Sequence, residues 1–240
     1  MLRDAFFLVK NQWRYTRIGF VFTLGFYAVY GGIAAMFLNR AEEESALGVI
    51  AVMSDVLVVT FMSAVGFIYS KGYLNNPYWR NDSFTKTLAV LRTLPIPVET
   101  LAWSRSLQIA LISPLSTAAF FGAFYAVSNW AQTLDATAFI ASVLVWFAFG
   151  NICSGWFVLV EWGTSGKRYL WLSIAASTLL IVAVVVLAWS TDQTLTYAIG
   201  GAMEGSGRML WPLLALAAAA LAHRWMRHRL RRALLERDFA

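Results

Sequence analysis

The sequence has 240 residues, of which 59% are hydrophobic and only 13% charged. A soluble domain averages about 45–50% apolar and about 25% charged residues, so an ordinary soluble domain and a disordered chain are both excluded. The single cysteine, Cys153, rules out an intrachain disulfide, and with only His223 and His228 to join it no zinc site is expected. The longest polar stretch, roughly Lys71 to Arg105, is too short for a catalytic extramembrane domain.

The composition predicts a single all-α transmembrane domain over residues 1–240. Residues 1–17 come first and read as an interfacial helix. Leu2, Phe6, Val9 and Trp13 share one face, with Arg3, Lys10, Arg14 and Arg17 beside them, a pattern suited to a helix lying at the inner membrane surface. A plain extension of the first span is the other reading. No small-residue cleavage site follows, so no cleavable signal peptide is expected. Six apolar runs then predict spans over 18–38, 47–70, 106–127, 137–160, 170–189 and 209–226. The last needs Trp225 and Met226 to extend it and Arg224 to snorkel, because its apolar part rises only about 21 Å against a hydrocarbon core of about 30 Å.

The basic residues set an orientation. Of 19 Lys and Arg, 17 fall before the first span, in the loops 71–105 and 161–169, or at the end of the last span and in the tail 227–240. Only Arg40 and Arg208 fall on the other side, near Glu42, Asp135 and Glu204. The positive-inside rule therefore predicts both termini in the cytoplasm of a multi-pass plasma-membrane protein. The net charge of +6 is then juxtamembrane, facing anionic lipid, and no nucleic-acid partner is expected.

The loop 71–105 carries the most information. Asn81 or Asp82 can cap a helix, and Phe84, Leu88 and Leu91 recur at one-face spacing within it. Pro95 stops that helix, and Pro97 opens the next at its first position. The result is a short cytoplasmic helix, a Leu94-Pro95-Ile96-Pro97 elbow and a return helix through Trp103 into the third span. Either lipid headgroups or the groove of a partner protein would cover the apolar face. Further on, Ser190 to Gly207 is polar and then glycine-rich. It reads either as a re-entrant or surface helix on the outer side or as a plain loop.

An interfacial helix, six spans and the loop segment from Ser83 through Leu94-Pro95-Ile96 to Arg105 resemble the membrane subunit of a type-2 ABC transporter, exporter-like in kind. The haem-export permease of cytochrome c maturation is similar in its Leu-Pro-Leu-Pro arrangement. This sequence departs from the family in lacking a glycine before the coupling segment, where Asp82-Ser83-Phe84 stands, so the subfamily and the substrate stay open. The resemblance implies that Phe84, Leu88, Leu91, Leu94, Pro95, Ile96 and Pro97 couple the spans to a separate ATP-binding-cassette ATPase subunit, which holds the ATP and Mg. It also implies a second six-span permease chain, identical or related. The sequence has no ATP site of its own: Gly163-Thr164-Ser165-Gly166-Lys167-Arg168 has two residues between its glycines where a phosphate loop has four, and no Ser or Thr after the lysine.

Two other function classes are open. Gly163-Thr164-Ser165-Gly166 resembles the motif of rhomboid serine proteases, with His223 on the same predicted side as Ser165. Ser165 nevertheless lies in a polar connection and His223 at a basic helix end, which fits a loop serine better than a nucleophile with its base. A non-catalytic scaffold or channel is the third class. Inside the spans, Asp55 is the one acidic or basic residue well away from the ends, and Ser63 and Gly66 continue its face. A carboxylate near the bilayer centre costs about 2.5–3.5 kcal/mol, so Asp55 should line a wet pathway, meet a partner or be protonated. The alternative is a helix shifted outward until Asp55 reaches the interface. Gly150, Asn151, Ser154 and Gly155 form a second small, polar patch, expected to serve close helix packing. Many tryptophans fall near span ends, as interfacial belts require, so the aromatics say little about a substrate.

Overall fold

A computed structural model describes residues 2–43, 49–68, 83–191, 193–205 and 208–236, the side chains at 15, 42, 43, 83–85, 87 and 92 excepted. All regular structure among them is helical: α1 (Leu2–Tyr15), α2 (Arg17–Glu43), α3 (Val49–Ser63), α4 (Ser83–Thr93), α5 (Val98–Val127), α6 (Asn129–Thr133), α7 (Ala136–Gly163), α8 (Gly166–Thr191), α9 (Leu195–Glu204) and α10 (Leu210–Glu236). Among the described residues, four helices are long and apolar enough to cross a membrane: Arg17–Ala41 within α2, then α5, α7 and α8.

The most apolar of the four is also the least covered. The central window of α8 has mean hydropathy 2.6, yet only 6% of it is buried. A helix that is apolar all round and exposed all round belongs in lipid. Trp171 and Trp189 stand 64% and 76% exposed near its two ends. They are 18 residues apart, about 27 Å along a helix and close to the thickness of a hydrocarbon core.

The long helices alternate in direction. Tyr27 and Ala34 of α2 bond to Phe61 and Ser54 of α3, so these two run antiparallel. In α2 and α5, Gly31 meets the backbone of Phe120 and Asn39 bonds to Val127, a parallel pair. Gly155 of α7 faces Met226 and His223 of α10, and Gly163 faces Ala233, again parallel. Both described chain ends, with α1 and α4, therefore lie at one end of the bundle, called the terminal end here. The distal end carries α6 and α9.

The core has one centre between α2, α3 and α5, around Leu38, Met62, Phe120 and Phe124. A second sits at the terminal end, where Leu88, Leu101, Ile109, Trp162, Met226, Leu230 and Leu234 cluster. There α1 lies along α5 with Ala5 and Val9 buried, while Leu2, Phe6 and Phe7 stay more than half exposed. That arrangement narrows the inward face expected from Leu2, Phe6, Val9 and Trp13 and leaves an apolar strip for the membrane surface.

Two sequence expectations need correction. The predicted span 47–70 is no continuous helix: α3 ends at Ser63, and the chain continues in tight turns, with Val65 N–H bonded to Met62 O and Phe67 N–H to Ala64 O. The cause lies at Gly66, whose N–H is taken by Ser154 Oγ at 3.0 Å and whose missing Cβ would lie 2.9 Å from Ile109. A freed backbone group inside a bundle is tolerated only when a neighbour satisfies it, as Ser154 does. The last predicted span, 209–226, and the tail 227–240 are in fact one helix to Glu236 over the described residues. Leu230 and Leu234 repeat the Met226 face at i+4 and i+8 and are fully buried, a periodicity that the interleaved arginines obscure. The return helix expected from Pro97 through Trp103 into the third span, 106–127, is present as one helix from Val98 to Val127, with Pro97 as cap rather than first helical residue. Its carbonyl accepts from Thr100 N–H, an offset within the ordinary ambiguity of helix ends. In the stretch from Ser190 to Gly207, the described residues form a helix, α9, rather than a plain loop.

Candidate functional site

The expected coupling segment lies at the terminal end. α4 spans 11 residues, and Leu94 and Pro95 end it; Ile96 N–H reaches back to Leu94 O at 2.7 Å, which closes the elbow before α5. Asn81 and Asp82, the expected caps, and the side chain of Phe84 lie outside the described residues. Leu88 does not face outward. It is 2% exposed and packs into the terminal-end core, and Leu91 and Ile96 pack on its edge. The assignment of Leu88 to a partner-docking face is therefore corrected: Leu88 is buried in this chain's own core, and α4 lies against α7 and α8. What remains outside is a different set. Val90 is 64% and Leu94 46% exposed, and Lys86, Pro95 and Pro97 are exposed beside them.

Charged groups clamp the same region. Glu161, at the end of α7, is fully buried and meets Arg105 of α5 at 3.4 Å. Arg105 also donates to Gln108 Oε1 at 2.7 Å and lies 4.4 Å over the Trp162 ring. Arg227 of α10 covers Trp103 of α5 at 3.8 Å. Removing one partner of a buried pair typically costs about 3–5 kcal/mol, so these contacts bind the start of α5 to the ends of α7 and α10. The sequence had marked Arg105 only as the start of a span. Glu161 carried no signal beyond an acidic residue closing an apolar run.

The intramembrane candidates separate. Asp55 is fully buried and faces no open pathway. Its carboxylate accepts from the N–H groups of Leu195 and Thr196, the latter at 3.0 Å, and from Thr196 Oγ1 at 2.6 Å. It thus caps the start of α9 from a helix 140 residues away, beside Thr194, which accepts from Tyr197 N–H. A carboxylate on the open N–H groups of a helix is the favourable placement for a charge inside a protein. The expectation of a partner holds; that partner is α9, which no local pattern around Asp55 names. Gly66 belongs to helix packing against Ile109 and Ser154. The patch in α7 does the same: a Cβ at Gly150 would lie 2.5 Å from Met62 O, and Asn151 Oδ1 accepts from Ser113 Oγ.

Ser63 differs from these. It borders a cavity of about 370 Å³ between α2, the end of α3, Phe157 of α7 and the first half of α8. The walls are mostly aromatic, and among the described residues no charged side chain lines them.

At the distal end, Asn39 bonds to both sides of the turn between α5 and α6, and Arg208 meets Asp135 at 3.2 Å. The Thr137 hydroxyl, and then the Arg208 charge, hold the Asp135 carboxyl below the usual range. This exposed contact is therefore present at neutral pH and fades as pH falls through that lowered value.

Ser165 and His223 are not brought together. His223 lies against Gly155, about ten residues or 15 Å up α7 from Ser165, and the terminal end of α10 faces Gly163 through Ala233. A nucleophile and its base work within about 3 Å of each other. Comparison with protein-family models, curated proteins and solved structures found no match.

Proposed function

We propose that this chain is the permease subunit of an ATP-binding-cassette transporter, with six passes, both termini in the cytoplasm and an exporter-like layout. In this reading α3 and α10 complete the four apolar helices as the second and sixth passes. The alternating directions of α2, α3, α5, α7, α8 and α10 agree with it. The carrying observation is the build of α4 and its elbow. One side of α4 is locked into the bundle through Leu88, and the other presents Val90 and Leu94 at the basic end of the molecule. The elbow passes directly into α5, 30 residues long and clamped to α7 and α10. A push on the outer side of α4 would therefore move three long helices together.

The partner is an ATP-binding-cassette ATPase that holds ATP and Mg, working with a second six-span chain, identical or related. The chain itself is not an enzyme in this reading. The test is purification from the native membrane in mild detergent. A soluble chain with a complete phosphate-binding loop should co-purify, and the preparation should hydrolyse Mg-ATP. A monodisperse preparation without such a chain and without ATP turnover would refute the proposal.

A further inference from the structure

The cavity beside Ser63 follows from how three helices meet. α2 and α8 each pack on α3, but not extensively on one another. A cleft is left between them, with α3 as its floor. Phe22 and Phe26 of α2 form one wall, 53% and 36% exposed, so the cleft reaches the outer surface of the bundle. Tyr169 and Ser177 of α8 form the other, and Phe157 closes the back.

Three properties limit what can enter. Among the described residues, no acidic, basic or amide side chain lines the cleft, so none of them neutralises a charged ligand. Three of the wall hydroxyls are turned to the chain's own backbone: Tyr27 Oη donates to Phe61 O, Thr23 Oγ1 to Gly19 O and Ser63 Oγ to Thr60 O. Last, the cleft runs along α8 from Tyr169 to Ser177, about 12 Å, in the half of that helix nearest the terminal end. One leaflet of a bilayer offers about 15 Å of hydrocarbon. Depth, apolar walls and a side mouth fit the tail of a lipid, which enters sideways from the membrane and leaves its headgroup in the interface.

We propose that the cleft between α2 and α8 binds one acyl chain of a membrane lipid from the leaflet at the terminal end. The volume, about 370 Å³, lies at the small end of the range for specific ligand sites, as one chain requires. The inference is independent of the transport reading, since it needs only a chain that sits in a bilayer.

The test uses the full chain in phosphatidylethanolamine–phosphatidylglycerol vesicles that contain a trace of phospholipid with a diazirine in its acyl chain. After illumination, peptides are mapped by mass spectrometry. Labelling at Phe22, Phe26, Phe61 and Phe157 should exceed that at the freely exposed Leu179 and Val182 several-fold. Ser177→Trp fills the α8 wall and Thr60→Trp the α3 floor; each should lower cleft labelling several-fold and leave Leu179 and Val182 unchanged. Two variants on different helices guard against one that fails to fold, and a retained elution volume checks each. Even labelling over all exposed apolar positions, or cleft labelling that both tryptophans leave intact, would overturn the proposal.

Discussion

At the scale of single residues, Asp55 and the close-packed glycines hold the long helices in register. Replacing Asp55 by Ala leaves the buried N–H groups of Leu195 and Thr196 without an acceptor. Each such orphan typically costs about 1–3 kcal/mol, so Asp55→Ala should lower the unfolding temperature in detergent and free the start of α9. Asp55→Asn retains one acceptor oxygen and should fall between the two. A cysteine placed at Tyr197, in a Cys153→Ala background, reports the loosening as faster labelling; equal labelling rates in all three would remove the capping role. Gly150→Ala offers a second check. Its Cβ would press on Met62 O, backbone that cannot swing aside, and overpacking of this kind costs about 1–3 kcal/mol. Gly122, with nothing within 4 Å, should accept alanine without loss in the same thermal assay. The sequence left Asp55 open between a wet pathway, a partner, protonation and the interface, grouped Ser63 and Gly66 with it, and gave the small residues of α7 to packing. It did not name α9, because a contact across 140 residues leaves no local pattern.

At the scale of elements, α4 was legible as an amphipathic segment but not in what covers it, and the end of α10 was not legible as one. The spacing of Phe84, Leu88 and Leu91 predicted one apolar face, and Leu88 and Leu91 do turn the same way. Periodicity identifies a face that wants burial and is silent on whether this chain or another buries it. Here this chain buries it, in a cluster that also holds Leu230 and Leu234, from a segment whose arginines made it look like a solvated tail. Leu88→Ala should therefore act as a core truncation, costing about 2–5 kcal/mol of stability, read as a lower unfolding temperature of the chain on its own. If the chain alone is unaffected and only its assembly suffers, the buried placement of Leu88 is wrong. The interruption of α3 was hidden for a related reason. Residues 64–68 are as apolar as any span, and the break depends on Ser154, far along the chain.

At the scale of the whole molecule, hydropathy made the four long apolar helices legible, and charge bias is the ground for the proposed orientation. The two further crossings of the proposed layout, α3 and α10, are the ones in which a broken or arginine-rich segment dilutes the apolar signal. Single cysteines in a Cys153→Ala background test the layout. Asp135→Cys and Glu204→Cys should react with a membrane-impermeant maleimide added outside intact cells, and Lys86→Cys and Lys167→Cys only after permeabilisation; the reverse pattern would invert the topology.

The claim that the outer side of α4 receives an ATP-hydrolysing partner is tested most directly by Val90→Asp combined with Leu94→Asp. Both side chains are exposed, so the chain should still insert and keep its unfolding temperature. Burial of one large apolar side chain is worth about 1.5–3 kcal/mol, so loss of two should weaken the complex by about a hundredfold or more. The measurement is Mg-ATP hydrolysis that co-purifies with the chain. The account expects it to fall to background in the double variant, with insertion and stability unchanged. Full co-purifying hydrolysis from a correctly inserted double variant would contradict it.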